Sequence, residues 1–181
     1  MPSYAEYPAR QKDPALVALF QHCFAASEGP AEGATIAAFV TNMLETSAQG
    51  TLALYVARAQ GELIGCAIFS QLELPGDPRK AVILSPMAIA SEHQGRGIGQ
   101  ALLRFALDDL RQKGTDIAMT YGDPAFYGKT GFAPVSEQNV PAPLPLSFPQ
   151  GWIGQSLTGM PIGQIRGPVK TVPALEDPKL W

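Results

Sequence analysis

A glycine-rich hexapeptide, Gln94-Gly95-Arg96-Gly97-Ile98-Gly99, is the stretch whose residue types are best suited to binding chemistry. Its glycines allow a ligand to approach the backbone closely, and the amphipathic pattern that follows predicts a helix that starts within it. The first turn of a helix has N–H groups without partners inside the helix and carries partial positive charge. The sequence therefore predicts an anion site here, suited to a phosphate.

Two common phosphate-binding motifs do not fit the spacing of these glycines. A dinucleotide fingerprint, G-x-G-x-x-G/A, fails because its last position falls on Gln100 or on Leu102. A P-loop that ends at Gly128-Lys129-Thr130 fails because its first glycine would stand where Asp123 is found. The spacing that fits is Q/R-x-x-G-x-G/A, which spans the hexapeptide.

The elements that must position this loop are strands and helices mixed along the chain. Helices are predicted over residues 14–27, 35–46 and 97–113, and strands over 51–59, 62–72, 81–90 and 116–121, with short strands near 144–148 and 162–166. This order predicts an α/β fold (mixed α+β), in which helices flank a mixed sheet. Pro86 cannot donate a ladder hydrogen bond, so it marks an edge, a bulge or a break just before the loop.

Composition limits the partners that the chain can have. A net charge of −3 gives no general reason to expect nucleic acid or an anionic membrane. Cys23 and Cys66 form neither a disulfide framework nor a metal site, and each lies in an apolar run. No run approaches the ~18 apolar residues of a membrane span, and the N-terminus has no apolar signal core. We therefore expect a cytoplasmic protein with no metal and no membrane partner.

The hexapeptide and its surroundings resemble the GCN5-related N-acetyltransferases, the GNAT superfamily. The resemblance rests on the apolar strand before the loop, the long helix after it and the later segment Tyr127-Gly128-Lys129-Thr130-Gly131-Phe132, which is similar to the family's Y-x-x-x-G-F ending. It covers residues 52–135 well, and the tail is similar to that of the YhbS-like subgroup. It implies a single domain with a GNAT core over residues 1–140 and an extension over 141–181 that completes the sheet. It also implies a mostly antiparallel, twisted sheet whose central strands splay apart.

The resemblance implies that acetyl-CoA is the cosubstrate and indicates where it would bind. Free backbone groups of the broken strand near Met87, Ala88 and Ile89 would pair with its pantetheine arm. Six residues of the loop would hold its pyrophosphate: Gln94, Gly95, Arg96, Gly97, Ile98 and Gly99. Tyr127 matches the position that often donates a proton to the departing thiolate, and it would also contact the coenzyme. Lys129 either meets a coenzyme phosphate or faces water.

The implied reaction is direct transfer of the acetyl group to a primary amine in a ternary complex, where the amine belongs to a small molecule, a peptide or a protein. An alkylamine has a pKa of ~10.4, so a base, a water chain or a desolvating pocket must remove its proton near neutral pH. The sequence does not identify the base. Glu92 and His93 are expected to be exposed loop residues, and Asp123 is expected to cap a short helix.

Two other functions are compatible with the same residues. A non-catalytic acyl-CoA-binding or sensing protein could use the same fold, and a nucleotide-binding module could use the same loop. The Pro/Gly-rich tail from Pro141 onward also has two interpretations, as a cover for the acceptor cleft or as a homodimer contact.

Overall fold

A single sheet organises the chain. The structure is a computed structural model that describes residues 1–9 and 12–181. The strands in it are β1 (Ser3–Tyr7), β2 (Leu52–Ala59), β3 (Glu62–Leu72), β4 (Ala81–Ile89), β5 (Ile117–Tyr121), β6 (Ala133–Pro134) and β7 (Trp152–Ser156). The helices are α1 (Pro14–Glu28), α2 (Pro30–Thr46), α3 (Ile98–Gln112) and α4 (Pro124–Tyr127). The strand order is β1-β2-β3-β4-β5-β7-β6, and β4 with β5 is the parallel pair in it. The predicted α/β fold with a mixed, mostly antiparallel sheet is confirmed.

Helices α1 and α2 follow each other almost without a loop. The Asp13 carboxylate caps α1 by accepting from the Leu16 N–H, and it also accepts from the Tyr7 hydroxyl. Gly29, with a φ of 101°, separates the two helices, and Pro30 occupies the first position of α2. The prediction that α2 begins at residue 35 was therefore wrong, because a proline at the first helical position starts a helix as readily as it ends one.

The sheet separates two hydrophobic cores. On one face α1, α2 and the C-terminal segment pack around fully buried side chains such as Phe20, Val40 and Trp152. On the other face the apolar stripe of α3 packs on β2 to β5, with Leu102 and Leu103 completely buried. Each such side chain contributes about 1.5–3 kcal/mol by leaving water. This packing fixes α3 on the sheet, and it fixes the loop at the N-terminus of α3 as well.

Strand β4 parts from β5 about halfway along β4, where β5 is close to its end. They pair in parallel from Ala81 to Leu84 only, while β4 continues beside β3 as far as Ile89 with a register shift. At the last paired position the Thr120 hydroxyl donates to the Leu84 carbonyl at 2.9 Å. Beyond it one backbone edge of β4 is not paired with β5. The predicted splay of the central strands is confirmed, and Pro86 lies within the splayed part.

The C-terminal segment contributes a strand where none was predicted. β7 inserts between β5 and β6, while the strands predicted near 144–148 and 162–166 are absent from the described residues. Those two predictions were wrong because proline removes ladder donors there and Gly163 and Gly167 turn the backbone to positive φ. Ile165 is nevertheless buried, so the irregular segment still serves as core. In the described ranges no helix is long and apolar enough to cross a bilayer.

Candidate functional site

A cleft of about 470 Å³ opens where β4 and β5 part. Nine of the ten residues predicted to contact the coenzyme line it: Met87, Ala88, Ile89, Gln94, Gly95, Gly97, Ile98, Gly99 and Tyr127. Arg96 does not line it and is exposed, because the loop turns through positive φ at the glycine on each side. A larger hollow of about 580 Å³ lies at the other end of β4, beside Ala81, and contains none of these ten residues. The geometry thus brings the predicted residues together in the smaller cleft.

The glycine-rich loop (residues 94–99) is folded back onto β4. The Gln94 side-chain amide donates to the Ile89 carbonyl at 2.8 Å, so this side chain is already engaged within the protein. Gly97 caps α3 in the left-handed conformation with no side-chain cap. The first hydrogen bond of α3 runs from the Ala101 N–H to the Gly97 carbonyl. The preceding N–H groups therefore point out of the helix end, and any anion here would be bound by backbone rather than by Gln94.

Gly99 sets the width of the cleft. A Cβ at this position would lie 3.3 Å from Met87 Cε and 3.3 Å from Phe126 Cζ, and 3.4 Å from a side-chain carbon of Ile89. These three side chains form an apolar wall beside the polar loop. The arrangement suits a ligand with an anionic end and a thin, mainly apolar arm.

Tyr127 lies at the end of α4, on the opposite wall. The Asp123 carboxylate accepts from the Ala125 N–H at 2.8 Å, so the predicted cap of this short helix is confirmed. The ring of Tyr127 contacts those of Phe126 and Phe132, with centroids 5.0 Å and 5.8 Å away. Close packing against Gly122 completes the seat, since a Cβ there would lie 2.7 Å from the tyrosine ring.

The environment of Tyr127 keeps its hydroxyl protonated. Burial is the main effect and raises the pKa of Tyr127, a hydrogen bond with the Thr120 hydroxyl lowers it, and the charge of Asp123 raises it; together these effects bring the pKa to about 12. At neutral pH the phenol is therefore a permanent hydrogen-bond donor. The sequence pattern places Gly122 in a turn before the short helix and assigns no role to Thr120, because the contacts of both with Tyr127 depend on the packing of β5 against α4.

His93 and Glu92 occupy different environments, contrary to expectation. The 3-10 turn Ser91–His93 places His93, which is half-buried, in the lining of the cleft. Glu92 is exposed, and its charge adds to the burial that raises the pKa of the Cys23 thiol to about 11. The expectation that both residues are exposed was thus wrong for His93. In a three-residue turn, neighbouring side chains such as those of Glu92 and His93 lie on different sides, and the amino-acid sequence alone does not show which side each one takes.

The two cysteines are inert, as their apolar surroundings predicted. Both are free and buried, and burial raises the pKa of the Cys66 thiol as well. A neutral buried thiol is a poor nucleophile. Over residues 1–9 and 12–181 no group of three or more histidine, cysteine or acidic side chains could hold a metal ion.

A splayed sheet, a helix N-terminus built on glycines and a half-buried tyrosine meet at this cleft. Comparisons with known proteins identify the family to which such a site belongs. Residues 50–134 match the family model described as an acetyltransferase (GNAT) domain. The N-acetyltransferase YjhQ of Escherichia coli (strain K12) is 33% identical over 136 residues, which cover 70% of this chain and 75% of the relative. YhbS of the same strain is 33% identical over 82 residues, covering 45% of this chain and 49% of YhbS.

Solved structures have the same fold. The crystal structure of Escherichia coli YhbS in complex with CoA aligns with a TM-score of 0.75 at 24% identity, covering 98% of this chain and 92% of YhbS. A GNAT acetyltransferase from Brucella melitensis in complex with acetyl-CoA aligns with a TM-score of 0.62 at 20% identity, over 96% and 99% of the two chains. The chain belongs to the GNAT acetyltransferase family and is an acyltransferase, which confirms the resemblance inferred from the motifs.

Proposed function

We propose that this protein transfers an acetyl group from acetyl-CoA to a primary amine of a small molecule, a peptide or a protein, directly within a ternary complex. The observation that carries the proposal is the cleft in which the free edge of β4, the start of α3 and Tyr127 face one another. The choice of donor is supported by the two neighbours in complex with CoA and with acetyl-CoA.

Each part of the donor has a matching surface in the cleft. The pantetheine amides would pair with the backbone of β4 at Met87, Ala88 and Ile89, where pairing with β5 has ended. The pyrophosphate would accept from the backbone N–H groups of the loop over residues 94–99, and the helix dipole adds about 0.3–1 kcal/mol to these hydrogen bonds. Lys129 also lines the cleft and is exposed, so it can approach a coenzyme phosphate.

The chemical step breaks the thioester. The amine nitrogen attacks the carbonyl carbon, the C–S bond breaks, and the electron pair remains on sulfur as a thiolate. Tyr127 donates a hydrogen bond to that sulfur as charge develops. Because the pKa of Tyr127 is about 12 and that of a thiol is about 8.5, complete transfer of its proton is unfavourable. Tyr127 therefore acts as a hydrogen-bond donor. The proton that the amine loses as the amide forms balances the proton that the thiolate takes up.

The proposal is tested first by binding and then by turnover. Isothermal calorimetry and thermal shift should detect acetyl-CoA and CoA, with ATP and NAD much weaker. Acetyl transfer to a panel of primary amines is followed by release of free thiol and by mass of the product. Preference for ATP or NAD would contradict the proposal, whereas tight CoA binding without transfer to any amine would favour the acyl-CoA-binding alternative.

A further inference from the structure

The turn that carries Tyr127 (residues 127–131, the Tyr127 turn) is too short to hold its own position. α4 has four residues, and the chain then forms a 3-10 turn and a left-handed residue at Gly131. Within the turn, the Thr130 hydroxyl donates to the Tyr127 carbonyl at 2.8 Å. Helical segments of this length are not stable alone. Besides the packing of its ring, the location of the Tyr127 hydroxyl therefore depends on the contacts that hold the backbone of the turn from outside.

Two side chains from distant parts of the chain grip it. The Arg104 guanidinium, on α3, donates through Nη2 to the Lys129 carbonyl at 3.1 Å. The Gln155 amide, on β7, donates through Nε2 to the Thr130 carbonyl at 3.0 Å. The turn is thus held between the coenzyme-side helix and the sheet.

Arg104 connects the two walls of the cleft. Its Nη2 also lies 3.5 Å from Gln100 Oε1, one helical turn earlier on α3. Gln100, on α3, and Lys129, in the Tyr127 turn, both line the cleft. Over the described ranges no carboxylate forms an ion pair with Arg104, so no acidic side chain draws its guanidinium away from the Lys129 carbonyl. Arg104 does not line the cleft, but its hydrogen bond joins α3 to the Tyr127 turn, and both of these elements contribute lining residues.

We propose that Arg104 is a positioning residue, which holds the Tyr127 hydroxyl at the reacting end of the cleft by tying the Tyr127 turn to α3. The inference rests on the proposed function, because only in that function does the Tyr127 hydroxyl donate to a reacting sulfur. Arg104 contacts the backbone of the turn and acts through it. A displacement of about 1 Å at a reacting group can cost on the order of 10²-fold in rate. Loss of the hydrogen bond from Arg104 can therefore have a large effect on kcat.

Matched arginine variants separate positioning from general stability. Arg111, on the same helix, also donates to a backbone carbonyl, that of Leu157, at 3.0 Å, far from the cleft. We expect Arg104→Met to lower kcat about tenfold with KM for acetyl-CoA within about twofold, and Arg111→Met to leave both unchanged. Arg104→Lys keeps one donor of similar reach and should recover part of kcat. Rates are measured as release of free CoA from acetyl-CoA.

A double-mutant cycle shows whether Arg104 acts through Tyr127. In a Tyr127→Phe background, Arg104→Met should reduce kcat little further, because the hydroxyl that it positions is already gone. Independent, multiplicative losses would overturn the proposal. A rise in KM alone that diminishes at high salt would also overturn it, since that pattern indicates direct contact with a coenzyme phosphate.

Amide hydrogen exchange provides a readout that needs no turnover. The N–H groups of Gly131 and Phe132 donate to the carbonyls of Gly128 and Tyr127 within the turn. They should exchange several-fold faster in Arg104→Met than in wild type or Arg111→Met, and equal rates in all three would contradict the tether. A wild-type protein that binds no CoA would contradict the proposed function instead, so the two failures are distinguishable.

Discussion

At the scale of single residues, the site depends on groups whose surroundings change their chemistry. Tyr127 is kept protonated by burial, and it is seated against a glycine that allows its ring to approach the end of β5. Thr120 acts at the point where the strands part, because its hydroxyl satisfies the last β4 carbonyl that faces β5. The predictions at this scale concern single hydroxyl groups.

Removing the hydroxyl of Tyr127 tests its part in the reaction. Tyr127→Phe should lower kcat by about 10–10²-fold and leave KM for acetyl-CoA nearly unchanged, because the hydrogen bond forms as charge develops on sulfur. The wild-type rate should show no loss assignable to Tyr127 up to about pH 10, since its pKa is about 12 and the protonated form persists. Steady-state kinetics from pH 6 to 10 measure both effects. Full turnover in a folded variant would exclude Tyr127 as the donor.

Two buried hydroxyls should respond in opposite directions when they are removed. Ser70 is fully buried in β3, and its Oγ has no hydrogen-bond partner in the described residues, so Ser70→Ala should raise the free energy of unfolding by about 1 kcal/mol. Thr120→Val deletes a hydroxyl that donates to Leu84 and should lower it by about 1–2 kcal/mol. Urea titration at pH 7 measures both. Equal losses would mean that Ser70 has a partner in solution.

At the scale of elements, the cleft exists because β4 remains paired with β3 after its pairing with β5 has ended. β4 is paired with β3 along its whole length but with β5 over only four residues. The register of the β3–β4 pair shifts between Ala67 and Phe69 of β3. After β4 ends, the glycine-rich loop leads into α3, whose buried apolar residues fix it on the sheet. The free strand edge and the free helix N-terminus consequently face the same space.

Filling the narrow part of the cleft should prevent ligand binding without unfolding the protein. Gly99→Val would place methyl groups where Met87 Cε and Phe126 Cζ already lie 3.3 Å from a Cβ. We expect affinity for CoA to fall by at least about 10²-fold, because the side chains must close the channel to make room. Calorimetry with CoA measures the loss, and circular dichroism checks the fold. Unchanged affinity would mean that the ligand does not pass Gly99.

At the scale of the whole molecule, the C-terminal segment joins the core instead of trailing from it. Trp152 and Trp181 pack against each other with centroids 5.9 Å apart, and Trp181 stacks on Tyr121 at the end of β5. At the other end of the sheet, Arg79 donates to the Ile162 carbonyl, which fastens the β3–β4 loop to this segment. The same arginine is held by Asp77.

This fastening makes stability depend on pH in the acid range. Hydrogen bonds from Arg79 lower the pKa of Asp77 to about 2, below its ordinary value near 3.8, and its side chain is only 12% exposed. The charged pair therefore stabilises the fold above about pH 4, and its contribution is lost as pH falls toward 2. Asp77→Asn should cost roughly 1–2 kcal/mol of unfolding free energy at pH 6 and much less at pH 2.5.

Urea titrations of wild type and variant at the two pH values measure the difference. Asp108→Asn is the matched control, because the ion pair of Asp108 with Arg111 is more than half exposed on both sides and should contribute under about 0.5 kcal/mol. A cost for Asp77→Asn that stays constant from pH 6 to 2.5 would contradict the assignment.

The sequence alone determined the features that short-range patterns encode. The glycine spacing of the loop, the amphipathic stripe of α3, the Asp123 cap and the position of Tyr127 were all visible, because helix periodicity, capping and positive φ each depend on a few neighbouring residues. A resemblance carried by those patterns was enough to indicate the family and the coenzyme. It did not indicate which residues contact the acceptor.

Only the tertiary structure decided the features that join distant residues. The resemblance implied a splay, but its position after Leu84 depends on strand register. The insertion of β7, the entry of His93 into the cleft and the hydrogen bond of Arg104 to Lys129 depend on register and on which faces meet. Register has no local signature, since a shift of one residue preserves composition and reverses every side chain. Arg104 lies 25 residues from Lys129 in the chain, and its bond follows from the packing of α3 against the turn.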